Sequence, residues 1–344
     1  MVDHNLHGLV VTALPNIRYL TGFTGSNAAL LLTSENSRLF TDPRYKIQAA
    51  QEIRGGVTIA RGPLWPAVLK VVQKWGLRRI GFESERISFK TYETLKKELP
   101  LGAVVEPVPG WIEEQRMTKS PDEVEAIRLA VMTNSSAFST VLRTIRPGVS
   151  ESDVAAELEY QMRRAGAEKA AFDTIVAAGH RSALPHARPT SHRLAPNQLL
   201  LIDMGATREG YTSDMTRVIA FGKPKPAWKR IYQAVLEAQL AALSSVREGV
   251  TAGAVDRTAR QTLRDHGLDK AFVHSTGHGL GLEIHEAPRI GKRDKTLLKE
   301  GMVITIEPGA YVEGTCGVRI EDTVLVTRMG CEVLTPTSKE LMIL

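Results

Sequence analysis

RPGVSESDVAAELEYQMRRAG, residues 146–166, occurs a second time in the same chain as REGVTAGAVDRTARQTLRDHG, residues 247–267. Arg146/Arg247, Gly148/Gly249, Val149/Val250, Ser150/Thr251, Val154/Val255 and Gly166/Gly267 match at a constant displacement of 101 positions. Each copy is preceded by a helical stretch and followed by apolar strand-like runs, and self-similarity of this kind has to be found before single elements are assigned. The repeat predicts an α/β (α+β) domain of two similar halves that face each other.

Acidic residues interrupt the strands after each copy. In LLLIDMGATREGYTSDMTRVIAF (199–221), a hairpin centred between Arg208 and Glu209 would set Asp203 and Asp214 directly opposite, with Cβ atoms about 4.5 to 5.5 Å apart. In MVITIEPGAYVEGTCGVRIEDTVLVT (302–327), a hairpin centred on Gly314 would do the same for Glu307 and Glu321. A bulge in either would shift the pairing and flip the faces. A single buried aspartate is ordinarily a cap or a turn residue, but facing acids in two repeat-related hairpins are not explained that way. Four carboxylates embedded in apolar strands either take up protons or hold divalent cations.

HSTGHGLGLEIHEAPRI (274–290) carries His274, His278 and His285. Gly277, Gly279 and Gly281 would each cost a helix about 1 kcal/mol, so the segment is read as turn or strand. His278 is the candidate imidazole ligand. Oxygen donors with one imidazole suit Mn²⁺, Co²⁺, Fe²⁺ or Zn²⁺ better than Ca²⁺ or Mg²⁺. Two such ions, about 3.5 to 4 Å apart, would form a hydrolytic centre.

The rest of the chain sets the frame. Its 344 residues point to two domains. The formal charge of +6 is spread without a dense basic run or basic-aromatic stripe, which weighs against nucleic acid. The N-terminus lacks a signal-peptide pattern and no run approaches 18 apolar residues, so the protein is read as cytoplasmic, with no membrane partner. Two cysteines without CxxC spacing exclude a disulfide framework and make a thiol metal site a poor reading. The first part alternates short apolar runs with amphipathic stretches such as ISFKTYETLKKEL, as an α/β domain with a mixed or parallel sheet does. Pro107, Pro109 and Gly110 read as a linker, which places the boundary at 113. Ser120, Pro121 and Glu123 then form the start of a long helix to about Ile145.

With the motifs DMGATREGYTSDMTR, HSTGHGLGLEIHE, ITIEPGAY and GVRIED around Asp203, Asp214, His278, Glu307 and Glu321, the sequence resembles the pita-bread metallopeptidase family, in its proline-specific branch of aminopeptidase P and prolidase. NIRYLTGFTGSNAALLL (16–32) and LFTDPRY (39–45) resemble the creatinase-type first domain of that branch. The resemblance implies a smaller creatinase-like α/β domain over 1–113 and a pita-bread catalytic domain with a pseudo-twofold repeat over 114–344. It implies two divalent metal ions per chain, Mn²⁺ first, with Co²⁺ or Zn²⁺ as the others. Asp214 and Glu321 would bridge them, His278 and Glu307 would complete one site, and Asp203 would chelate the other ion.

His186 and His285 would line the substrate pocket and stabilise the tetrahedral intermediate. Glu307 would shuttle a proton, and Arg319 would neutralise the acids and orient Glu321. His274 would contact substrate or support the neighbouring ligand. Arg289 would grip a dipeptide's free carboxylate or else is a plain exposed arginine, and Tyr311 is placed with the substrate-binding residues or else in the core. The implied substrates are short peptides with proline in second position, and the implied assembly is a homodimer. The leading expectation is an Xaa-Pro aminopeptidase of the aminopeptidase P type. The alternative is an Xaa-Pro dipeptidase, and a non-catalytic pita-bread binding module is a distant third.

Overall fold

The computed structural model describes residues 4–344, and the chain divides into two compact units, Met1–Arg116 and Met117–Leu344. In the first unit, six strands form one mixed sheet in the order Gly56–Ile59, Ser37–Thr41, Ala28–Leu32, Gly8–Val11, Arg79–Glu83, Val104–Val108. The expected linker is not one. Pro107 lies in Val104–Val108, an edge strand, where a missing N–H is tolerated. The boundary expected at 113 falls inside the helix Trp111–Met117.

The second unit carries the repeat. Helix Pro121–Val141 begins with the expected capping box between Ser120 and Glu123, and ends four residues before Ile145. The two repeat copies form the helices Glu151–Arg164 and Ala252–Asp265, of 14 residues each and at the same displacement of 101. Both entry turns are tied down alike. Gly148 N–H donates to Leu194 O and Leu194 N–H to Val149 O, while Gly249 N–H donates to Leu298 O and Leu298 N–H to Val250 O.

The strands lie between two apolar layers, and period-two alternation feeds both. Along Leu199–Met204, Leu200, Ile202 and Met204 pack with Phe138, Leu158 and Met162. Leu199 and Leu201 turn to the opposite face, against Val235, Val255 and Leu263. This is why the strand reads as a continuous apolar run. A 20-residue helix, Pro226–Ser245, completes the second half's helical layer. Behind the strands, Arg217 is fully buried: its Nη2 donates to Asp322 Oδ1 and Thr337 O, its Nε to Ser338 O, and its Nη1 to Thr216 O and Glu321 O. The short strand Met342–Ile343 then pairs in parallel with Ile219 and Ala220, so the end of the chain returns to the first half. Among the described residues no helix is long and apolar enough to cross a membrane.

Candidate functional site

Each hairpin is broken where its acids sit. In the first half, Leu199–Met204 pairs with Met215–Ala220, and the ladder resumes as Ala206–Arg208 with Tyr211–Thr212. The turn is Glu209–Gly210, both at positive φ (51° and 79°), one residue later than the spacing predicts. Asp203 therefore pairs with Thr216 rather than with Asp214. The register shift is two, so the face is kept and Asp214 lies diagonal to Asp203. In the second half, Val303–Ile306 pairs with Asp322–Val326, and Gly309–Val312 with Cys316–Arg319. Both segments keep the register centred on Gly314, which leaves Glu307 and Glu321 opposite each other in the gap.

The glycines around His278 have a steric cause. Strand Gly277–Gly279 runs between Glu286–Ile290 and Val303–Ile306. A Cβ on Gly277 would meet Thr305 O at 1.9 Å, and one on Gly279 would meet Ala287 O at 2.2 Å. His278 Nδ1 lies 2.9 Å from Gly279 O and donates to it, which leaves the Nε2 lone pair facing the acids. Nε2 is 3.5 Å from both Asp214 Oδ2 and Glu307 Oε1. One donor atom each from Asp214, His278 and Glu321 lies within 4.8 Å of the others.

Polar support crosses between the halves. Thr216 Oγ1 donates to Glu321 Oε2 at 2.6 Å and accepts from Arg319 Nε at 3.0 Å. Reciprocally, Thr323 Oγ1 donates to Asp214 O at 2.9 Å. Arg319 also donates through Nη2 to Asp203 Oδ2 at 2.5 Å, and through Nη1 to Tyr311 Oη and Pro185 O.

The electrostatics call for cations. Burial, then the charges of Asp203 and Glu307, holds the Asp214 carboxyl well above the usual range. Burial, then Asp214, does the same for Glu321, and burial also raises Glu307. Burial opposes the charge of Arg319, but Tyr311, Asp203, Glu307 and Glu321 outweigh it, so this guanidinium stays protonated. One such cation faces four carboxylates. Asp203 Oδ1, Asp214 Oδ1 and Glu321 Oε1 are buried without a hydrogen-bond partner. Orphaned carboxylate oxygens beside an aimed imidazole lone pair fit a divalent-metal site.

The acids open into a cavity of about 700 Å³, also lined by His186, His274, His285, Arg289 and Arg319. His186 and Arg289 are exposed, and the Arg289 side chain makes no hydrogen bond or ion pair among the described residues. His285 stacks edge-on against His278 with ring centroids 4.5 Å apart; burial, then His278, lowers its pKa.

Tyr311 and His274 take their hydrogen bonds from the protein itself, and of the two only His274 also lines the cavity. Tyr311 is 9% exposed and does not line the cavity. Its hydroxyl accepts from Arg319 at 2.6 Å and donates to His274 Nε2 at 2.9 Å. His274 in turn donates from Nδ1 to Ser275 O at 2.7 Å. Both ring nitrogens of His274 are thus used within the protein, and burial, then Arg319, lowers its pKa to about 4. Tyr311 and His274 form a bracket behind Arg319.

Sequence reasoning missed Thr216, Thr323 and the buried pair Lys119–Glu286, whose Nζ and Oε2 are 3.1 Å apart and of which Glu286 lines the cavity. The shared offset of two, from Asp214 to Thr216 and from Glu321 to Thr323, is a signal that could have found the threonines.

Comparisons with known proteins agree with this geometry. Residues 1–118 match the Creatinase/Prolidase N-terminal domain and residues 125–328 match Metallopeptidase family M24. The chain is 38% identical to the Xaa-Pro dipeptidase of Pyrococcus horikoshii, over 99% of this chain and 96% of that protein. A solved Xaa-Pro dipeptidase from Bacillus anthracis superposes with a TM-score of 0.97 at 39% identity, covering 100% of this chain and 96% of that one. An X-Pro aminopeptidase from Thermotoga maritima superposes with a TM-score of 0.93 at 36% identity, covering 98% of each chain. With both domains matched and a metal-fitting acid cluster at the meeting of two repeat halves, the chain belongs to the M24 metallopeptidases, in their proline-specific aminopeptidase and prolidase group.

Proposed function

We propose that the protein is an Xaa-Pro dipeptidase that works with two divalent cations. The sequence alone ranks aminopeptidase P first; the dipeptidases among its relatives and one feature of the cavity favour the alternative. That feature is Arg289. It pairs in register with His278 across adjacent strands, whose Cα atoms lie about 4.5 to 5.5 Å apart. An exposed guanidinium without an internal partner beside the acid cluster suits a free C-terminal carboxylate held bidentately. A dipeptide offers that carboxylate next to the scissile bond, and a longer peptide does not.

Asp203, Asp214, His278, Glu307 and Glu321 would hold the cations. Bound there, the metal would supply Lewis-acid polarisation of the carbonyl and an acidified water at neutral pH. The chain's own groups do the rest. Arg289 fixes the proline carboxylate, and His186 and His285 donate to the oxygen on which negative charge develops. Glu307 takes a proton from the attacking water as the C–O bond forms, and passes it to the proline nitrogen as the C–N bond breaks. That nitrogen is a tertiary amide without N–H, and it leaves only when protonated. Arg319, bracketed by Tyr311 and His274, keeps Asp203 in place. Manganese as the resident metal, the homodimer and a cytoplasmic location belong to the same proposal; sedimentation of the purified protein checks the assembly.

The test is to strip metal with a chelator, restore Mn²⁺, Co²⁺ or Zn²⁺ singly, and compare Xaa-Pro with Xaa-Pro-Yaa. The reading expects kcat/KM about tenfold or more in favour of the dipeptide, worth about 1.4 kcal/mol. Preference for the tripeptide overturns it in favour of the aminopeptidase, and no metal-dependent turnover of either overturns both.

A further inference from the structure

The repeat helices carry a second, unassigned symmetry. Glu151, on the first helix, is fully buried. Its carboxylate accepts from Thr190 N at 3.0 Å, Thr190 Oγ1 at 2.8 Å, Ala178 N at 2.9 Å and Arg181 Nε at 3.0 Å. Arg181 also donates through Nη2 to Arg188 O at 2.8 Å. Asp256, on the second helix, is buried as completely. It accepts from Thr276 N at 3.2 Å, Thr276 Oγ1 at 2.9 Å and Arg260 Nε at 2.7 Å. Arg260 also donates to Phe272 O at 3.1 Å and to His274 O.

The same parts recur: a buried carboxylate, an arginine shared with a backbone carbonyl, and a threonine held by both its N–H and its hydroxyl. The positions are complementary. Glu151 aligns with Ala252 and Asp256 aligns with Ala155, so each half fills the place its counterpart leaves as alanine, one helical turn apart on the same face. The segments held differ. Glu151 gathers both ends of the loop 179–189, which carries His186. Asp256 holds 272–276, which leads into His278 and whose Thr276 O accepts from Glu307 N at 2.7 Å.

We propose that Glu151 and Asp256 are paired positioning residues with divided duties, Glu151 setting the substrate loop and Asp256 setting the metal-ligand segment. The substrate arm rests on the dipeptidase reading; the metal arm does not. Glu151→Gln raises KM for an Xaa-Pro dipeptide about tenfold, the weight of one charge-assisted hydrogen bond, with metal affinity unchanged. Asp256→Asn weakens metal affinity about 10- to 100-fold, read by competition with a chromogenic chelator and without substrate. Hydrogen exchange localises each effect, at the Ala178 and Thr190 amides in one variant and at Thr276 in the other. If Asp256→Asn fails to fold, Thr276→Val decides the metal arm by the same competition. The proposal is overturned if the variants lose thermal stability while KM and metal affinity stay at wild-type values, or if the two effects are exchanged. Failure of the dipeptidase reading shows itself separately, as a wild-type preference for Xaa-Pro-Yaa over Xaa-Pro.

Discussion

The two acid-bearing hairpins are related by the repeat, yet they solve their task differently. The first turns tightly at Glu209–Gly210 and leaves its aspartates diagonal; the second turns around Gly314 and leaves its glutamates facing. Only the second carries an arginine two positions before its last acid, since Arg319 corresponds in spacing to Thr212 before Asp214. The halves are therefore equal in the carboxylates they give and unequal in the charge that restrains them. The pseudo-twofold axis sets up a symmetric cradle, and Arg319 makes it polar by binding Asp203 on one side.

That comparison can be attacked in order of effect. Glu321→Gln and Asp214→Asn stand at equivalent places, and each should lower kcat/KM by roughly 10³-fold or more, about 4 kcal/mol of transition-state stabilisation. A large difference between them in steady-state kinetics would break the equivalence. Arg319→Met should lower both activity and stability, by about 3 to 5 kcal/mol for the latter, because Asp203 and Tyr311 lose a buried partner. Denaturant melts with metal present measure this.

The reciprocal threonines sharpen the contrast further. Thr216→Val removes a donor to a carboxylate and should cost about 1.5 to 3 kcal/mol in metal binding or activity. Thr323→Val removes a donor to a backbone carbonyl and should cost about 0.5 to 1.5 kcal/mol. Equal losses in titration calorimetry would mean that the crossing bonds serve packing alone.

The smallest effect concerns pH. Asp214, Glu307 and Glu321 have carboxyl pKa values raised in the folded state. Their contribution to stability is present below the unfolded carboxylate range, about 4, and is lost as pH rises through the folded values. The metal-free protein should thus lose melting temperature as pH rises above that range, and the gap to the metal-loaded protein should widen. A constant gap in calorimetric scans would count against charge repulsion as the force the cations relieve.

How much of this was legible in the residues follows from the range of each interaction. The repeat fixed the paired helices because a turn, a cap and a helix are local. The second hairpin's register was readable because its turn is symmetric about Gly314. The first was read two positions out because Glu209 takes the left-handed conformation, which its residue type does not advertise, although Gly210 beside it was a signal. The acids stood out because carboxylates interrupting apolar strands are anomalous in themselves. Glu151 and Asp256 gave no such sign, since the threonines they hold lie 39 and 20 positions away and only the fold brings them together.

The return of residues 337–343 to the first half couples distant parts of the chain. Arg217 sits beneath both Thr216 and Glu321, and two of its acceptors are Thr337 O and Ser338 O. Loosening that segment would leave the buried guanidinium short of two acceptors and uncover the edge of Met215–Ala220, so a disturbance far from the cavity would reach the residues directly beneath Glu321.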